Sequence, residues 1–170
     1  MSPVVFRAAT ADDVAALRPL IERAYRGDSA KAGWTHEADF LSGERTSIEE
    51  LSAVIADPER VILMAYRDGT LIGCVQVARS ADDLGYLGML TVDPALQASG
   101  VGRQLLAAAE AEAIRRFNAR RMEMTVIQRR AELIAWYERR GYVRTGEQRP
   151  FPLDPPRPEL AFVVLEKALP

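Results

Sequence analysis

Gln97-Ala98-Ser99-Gly100-Val101-Gly102 stands between an apolar, strand-like run ending at Val92 and Pro94 and a long amphipathic stretch reaching Phe117. A strand that stops, a turn holding Gly100 and Gly102, and a helix that then begins leave several backbone N–H groups without partners. The helix dipole adds positive potential where those donors point, so the segment suits an anion. The chemistry on offer is binding of a phosphate-bearing ligand over residues 98–103. Two familiar phosphate loops are excluded by inspection. A Walker loop needs Lys and Ser or Thr after its last glycine, whereas Arg103 and Gln104 follow Gly102. A dinucleotide fingerprint needs a third glycine where Leu105 stands. Taken alone, two glycines near a helix start also fit a plain tight turn.

Ala131–Tyr142 carries a second pattern. Leu133, Ile134 and Tyr137 recur at helical spacing, while Glu132, Glu138, Arg139 and Arg140 fall on the face left to solvent. Gly141 is placed to end that helix and Tyr142 to begin a strand. Tyr137 reads either as a buried aromatic with a satisfied hydroxyl or as a proton donor, and spacing does not separate the two.

Together these segments resemble the GNAT acyltransferases. Gln97, Gly100 and Gly102 match that family's Arg/Gln-x-x-Gly-x-Gly/Ala loop, and Ala98 stands where many members carry another glycine. Tyr137-Glu138, followed by Gly141-Tyr142, resembles the family's Tyr-Glu-x-x-Gly-Phe segment. The likeness covers nearly all 170 residues and implies a single domain over residues 1–170. It implies an α/β GNAT fold, a mixed, mostly antiparallel twisted sheet of about seven strands flanked by about four helices.

The same resemblance implies N-acetyl transfer from acetyl-CoA to a primary amine of a small molecule or peptide, by direct attack in a ternary complex and without a metal. Backbone groups of Leu90, Thr91 and Val92 would pair with the pantetheine arm. Gln97 and the amides of Ala98, Ser99, Gly100, Val101, Gly102 and Arg103 would take the pyrophosphate. Tyr137 would protonate the departing thiolate. Many members place an acid on the strand leading into the loop, but Gly88 and Met89 stand there. Glu123 on the neighbouring strand is the candidate base, with an outward-facing strand residue as the competing reading. The missing acid also leaves open a sensor module that binds acetyl-CoA without turnover.

In the family the region between the first two helices lines the acceptor channel, which makes Trp34, Glu37 and Asp39 candidate acceptor residues. A cationic amine would be drawn to the two carboxylates and stack on the indole, although a merely solvated charged loop fits equally. Arg45, Arg149 and Phe151 would complete the pocket for a substrate that also carries a carboxylate. A homodimer is compatible with the family.

The elements needed to position these residues are legible. A strand at Val4–Ala8 precedes a helix capped by Thr10, and a second helix opens at Thr46 or Ser47 and stops at Pro58. Strands Val61–Arg67 and Thr70–Arg79 are joined at Asp68-Gly69, a hairpin signal. Strand 86–92 leads to helix 102–117, which turns Glu110, Glu112 and Arg116 outward. Strand Arg121–Val126, the Tyr137 helix and strands Val143–Gln148 and Leu160–Lys167 complete the chain.

Bulk properties narrow the function classes. The hydrophobic share of 48% and charged share of 27% belong to a soluble globular protein, and a net charge of −2 offers no general attraction to nucleic acid or membrane. One cysteine and one histidine argue against a disulfide framework, a thiolate or histidine metal cluster, and a Cys-His or Ser-His-Asp hydrolase. Cys74 reads as a small buried apolar residue. With no signal peptide or membrane-length apolar run in view, the expected compartment is the cytoplasm.

Overall fold

A computed structural model describes residues 2–25, 46–97, 99–153 and 155–170. Trp34, Glu37, Asp39, Arg45 and Ala98 lie outside the described residues. In chain order the elements are β1 (Val5–Ala8), α1 (Val14–Tyr25), α2 (Ile48–Ala56), β2 (Arg60–Arg67), β3 (Thr70–Ala81) and β4 (Leu84–Val92). They continue with α3 (Val101–Phe117), β5 (Arg121–Ile127), α4 (Ala131–Glu138), β6 (Val143–Arg149) and β7 (Phe162–Ala168). The strands form one seven-stranded sheet in the order β1-β2-β3-β4-β5-β7-β6. Among its neighbouring pairs only β4 and β5 run parallel. This is the expected mixed sheet with four helices.

Local chemistry explains the boundaries. Asp68 and Gly69 both take positive φ, 52° and 78°, as a hairpin turn matched to strand twist requires. Of the two expected caps, Ser47 is the one used, and its Oγ accepts from the Glu50 amide at 3.1 Å. Thr10 caps a short 3-10 turn, Ala11–Asp13, that leads into α1, and its amide donates to Asp13 Oδ2 at 2.7 Å.

Two apolar clusters clothe opposite faces of the sheet. Val61, Leu63, Val75, Val77 and Leu87 pack with α3, Ile134 and Tyr137. Ile62, Met64 and Cys74 pack with Leu17, Leu20, Ile21, Leu51 and Val54 of α1 and α2. The period of two along each strand sends alternate residues to the two layers. Cys74 is fully buried, as expected of a small apolar residue. No described helix is long and apolar enough to cross a membrane.

Candidate active site

The site begins where β4 and β5 part. Their paired residues are Leu84–Tyr86 with Arg121–Glu123, yet β4 continues to Val92 and β5 to Ile127. Beyond that short ladder no further β4–β5 pairing occurs among the described residues. Parallel strands that separate leave backbone donors and acceptors along a wedge, a place for an extended ligand to add as a strand would.

β4 carries a bulge in the same stretch. Gly88 pairs with Gln76 and Thr91 with Cys74, so one extra residue is accommodated, and Met89 takes φ +50°. The Tyr25 hydroxyl, at the end of α1, donates to the Leu90 carbonyl oxygen, and Thr91 Oγ1 donates to the Met89 carbonyl at 2.9 Å. Leu90 and Val92 lie on the stretch of β4 beyond its pairing with β5, and the Leu90 carbonyl is already engaged from the α1 side.

The loop after β4 is held by its own contacts. Asp93 Oδ1 accepts from the Ala95 amide at 3.1 Å, and Asp93 Oδ2 pairs with Arg23 at 3.0 Å. Gln97 Nε2 donates to the Val92 carbonyl at 3.2 Å, which turns the loop back against the strand end. Ser99 Oγ donates to the Leu96 carbonyl. Gly100 is the N-cap of α3 with φ +90°, where no side chain caps the helix and no acidic residue sits in the first turn. The Gly100 carbonyl receives the Gln104 amide at 3.2 Å, so the amides of Val101, Gly102 and Arg103 precede the helical ladder. The two glycines act differently. Gly100 needs its positive φ, whereas a Cβ on Gly102 would meet Trp136 at 3.6 Å and Val92 at 3.7 Å, ordinary contacts.

Trp136 links this helix start to α4. The Arg140 guanidinium lies 3.9 Å from the Trp136 ring centroid, and Arg140 Nη1 donates to the Trp136 carbonyl at 2.8 Å. This corrects the solvent-facing placement expected of Arg140. Burial, then the charges of Arg103 and Arg139, pull the Arg140 guanidinium below its ordinary value. Arg103, in the first turn of α3, and Arg140, stacked on Trp136, therefore bring two cations to the uncapped helix end. An anion placed there would relieve their repulsion.

Tyr137 is buried, 4% exposed, on the α3 side of the sheet, in an edge-on contact with Tyr142 at 5.9 Å. Burial raises its hydroxyl well above the ordinary tyrosine value; Tyr25 and Tyr86 add to the rise and Arg130 opposes it. Gly141, φ +99°, ends the helical region as expected, and the Tyr142 amide returns to the Tyr137 carbonyl at 3.2 Å. Tyr142 Oη donates to Glu110 Oε2 at 2.8 Å and Lys167 Nζ to Glu110 Oε1 at 3.1 Å, so Glu110 is turned into a polar junction and not outward.

Glu123 is not an outward-facing strand residue. It is buried, accepts from Ser80 Oγ at 3.1 Å through Oε1, and pairs through Oε2 with Arg149 Nη2 at 3.2 Å. Arg149 also pairs with Glu147 at 2.6 Å, and Phe151 packs on Phe162 at 5.0 Å. Tyr86, whose hydroxyl lies 2.9 Å from Thr125 Oγ1, bridges the two strands where they begin to part. Sequence reasoning missed Tyr25, Tyr86, Arg130 and Trp136. Tyr25 sits on an apolar helical stripe and carries no separate signal, and nothing in the sequence marks Arg130 as buried.

The comparisons agree with this fold. The sequence profile of the Acetyltransferase (GNAT) family matches residues 15–142. No match is found among curated proteins. Among solved structures, the PaiA N-acetyltransferase of Thermoplasma acidophilum in complex with coenzyme A superposes with a TM-score of 0.75 at 18% identity, over 98% of this chain and 99% of that one. YncA of Salmonella typhimurium with its cofactor acetyl-CoA gives 0.72 at 22% identity, over 99% and 95%. The ribosomal-protein-S18-alanine N-acetyltransferase of Escherichia coli gives 0.74 at 17% identity, over 98% and 94%. With the profile covering most of its length, the chain belongs to the GNAT acetyltransferase family.

Proposed function

We propose that the protein transfers an acetyl group from acetyl-CoA to a primary amine of a small molecule or peptide. The observation that carries this reading is the uncapped, cation-rich start of α3 beside the wedge between β4 and β5. Gln97, Ser99, Gly100, Val101, Gly102 and Arg103, with Ala98 on the same loop, hold the pyrophosphate of the thioester substrate. Leu90, Thr91 and Val92 bind its pantetheine arm along the strand edge. The solved neighbours that contain coenzyme A or acetyl-CoA support the choice of donor.

The amine nitrogen attacks the thioester carbonyl carbon directly; the C–N bond forms, the C–S bond breaks, and the thiolate leaves. Tyr137 donates its proton to that sulfur. Its raised affinity for the proton is matched by the thiolate, because charge forming in the same dry cleft is destabilised by the same desolvation. Glu123 is the proton acceptor offered by β5, through Oε1, which carries only the neutral Ser80 hydroxyl.

Calorimetric titration with acetyl-CoA, NAD and ATP tests the donor, and thiol release over a panel of amines tests turnover. Binding of acetyl-CoA alone together with thiol release is expected. Tight acetyl-CoA binding without release for any amine would favour the sensor alternative, and absence of binding would end both.

A further inference from the structure

A cavity of about 400 Å³ lies on the α2 side of the sheet, with β3 and β4 beneath it. Its floor includes Gln76, Tyr86 and Gly88, and its wall includes Thr46 and Glu50. That volume suits a compact small molecule. Gly88 keeps the floor open, since a Cβ there would stand 3.2 Å from the Tyr86 ring. Tyr86 is the last β4 residue paired with β5 and Gly88 lies two residues beyond it, so the cavity adjoins the start of the wedge.

The charge in this cavity is lopsided. Arg60 lines it too, but its Nε is paired with Asp57 at 2.9 Å. Glu50 Oε2 receives only the neutral Thr46 hydroxyl, at 3.2 Å, and Glu50 Oε1 has no hydrogen bond among the described residues. Glu22 Oε1 accepts from the Thr46 amide at 2.9 Å, which anchors the Thr46 end of that wall to α1. A carboxylate and a tyrosine ring lining one cavity are groups that favour an alkylammonium ion, by ion pairing and by attraction to the aromatic ring.

We propose that Glu50 is an acceptor-binding residue that holds the ammonium of a compact diamine in the cavity between α2 and β4. This rests on the reading of the wedge as the thioester site, because the second nitrogen of the diamine must reach it. Glu50 is exposed enough that its contribution follows the scale of solvent-accessible pairs, a factor of about five.

The test compares Glu50→Gln and Glu50→Asp with the parent protein, using the straight-chain four-carbon diamine and its amino-alcohol analogue as acceptors. Glutamine keeps an oxygen for Thr46, so thermal midpoints should differ by no more than the small helix-dipole contribution of a first-turn acid. Glu50→Gln is expected to raise KM for the diamine about fivefold with kcat held, to leave the amino alcohol unchanged, and so to erase the preference for the diamine; Glu50→Asp should keep part of it. Calorimetric titration of the diamine into each protein, with and without acetyl-CoA, measures the same preference as binding if neither amine is turned over. An unchanged diamine preference in Glu50→Gln, or no diamine binding by the parent protein, overturns the assignment of Glu50. Loss of acetyl-CoA binding by the parent protein would instead overturn the wedge as the thioester site, and the two failures are read from separate titrations.

Discussion

The Tyr25 hydroxyl donates to the Leu90 carbonyl oxygen, so the last residue of α1 fixes the bulged stretch of β4 that borders the wedge. α1 and β4 are far apart in the chain, and the bond ties them four residues beyond Tyr86, the last β4 residue paired with β5. A carbonyl at a bulge has no ladder partner on that side, and burial without one is costly. Tyr25 supplies the donor.

Tyr25→Phe keeps the ring in the α1–α2 cluster and removes the hydroxyl that donates to Leu90. Leaving a buried carbonyl unpaired costs about 1–3 kcal/mol, which urea denaturation will read as a lower midpoint with an unchanged slope. The loosened bulge should also lower kcat/KM. A variant as stable as the parent would show that another donor, or water, satisfies Leu90.

Gly100 and Gly102 separate folding from binding. Gly100→Ala forces a residue with a Cβ to φ +90° in otherwise open space, at about 1–2 kcal/mol of strain, and should lower both stability and acetyl-CoA affinity. Gly102→Ala meets only ordinary contacts and gains helix propensity of up to about 1 kcal/mol, so its midpoint should hold or rise. Its methyl group nonetheless stands among the amides assigned to the pyrophosphate. Weaker acetyl-CoA binding by a fully stable Gly102→Ala is the expected result, and unaltered affinity would remove residue 102 from the phosphate contacts.

What is legible in the sequence is local. Asp68-Gly69, Ser47, Gly100 and Gly141 each announce a turn or cap through backbone chemistry that depends on a few neighbours, and apolar periodicity marks the elements between them. The insertion of β7 between β5 and β6 has no such trace, because its ladder joins residues about forty positions apart. Periodicity alone leaves Glu110, Glu123 and Arg140 on solvent faces. Their partners, Tyr142 and Lys167, Arg149, and Trp136, cover them from neighbouring elements or turns. The acceptor cavity is illegible for a related reason: Glu50 looks like a first-turn helix acid, favoured there by the dipole, until β4 is seen beside it.

Tyr137 yields a prediction whose sign follows from its raised pKa. Below the unfolded tyrosine value of about 10, both folded and unfolded chains keep the proton, and stability does not depend on this group. Above that pH the unfolded chain releases its proton while buried Tyr137 retains it, so stability falls as pH rises, by up to about 1.4 kcal/mol per pH unit. Tyr142, raised by burial and by Glu110, acts in the same sense. Tyr137→Phe removes one of the two contributions, so urea midpoints of parent and variant should keep a constant separation up to pH ~10 and draw together above it. The variant should also lose about a hundredfold in thiol release near neutral pH, where Tyr137 is fully protonated. Parallel stability curves through the alkaline range would mean that the hydroxyl is not buried as a neutral group, and unchanged turnover would strip Tyr137 of its role as the acid.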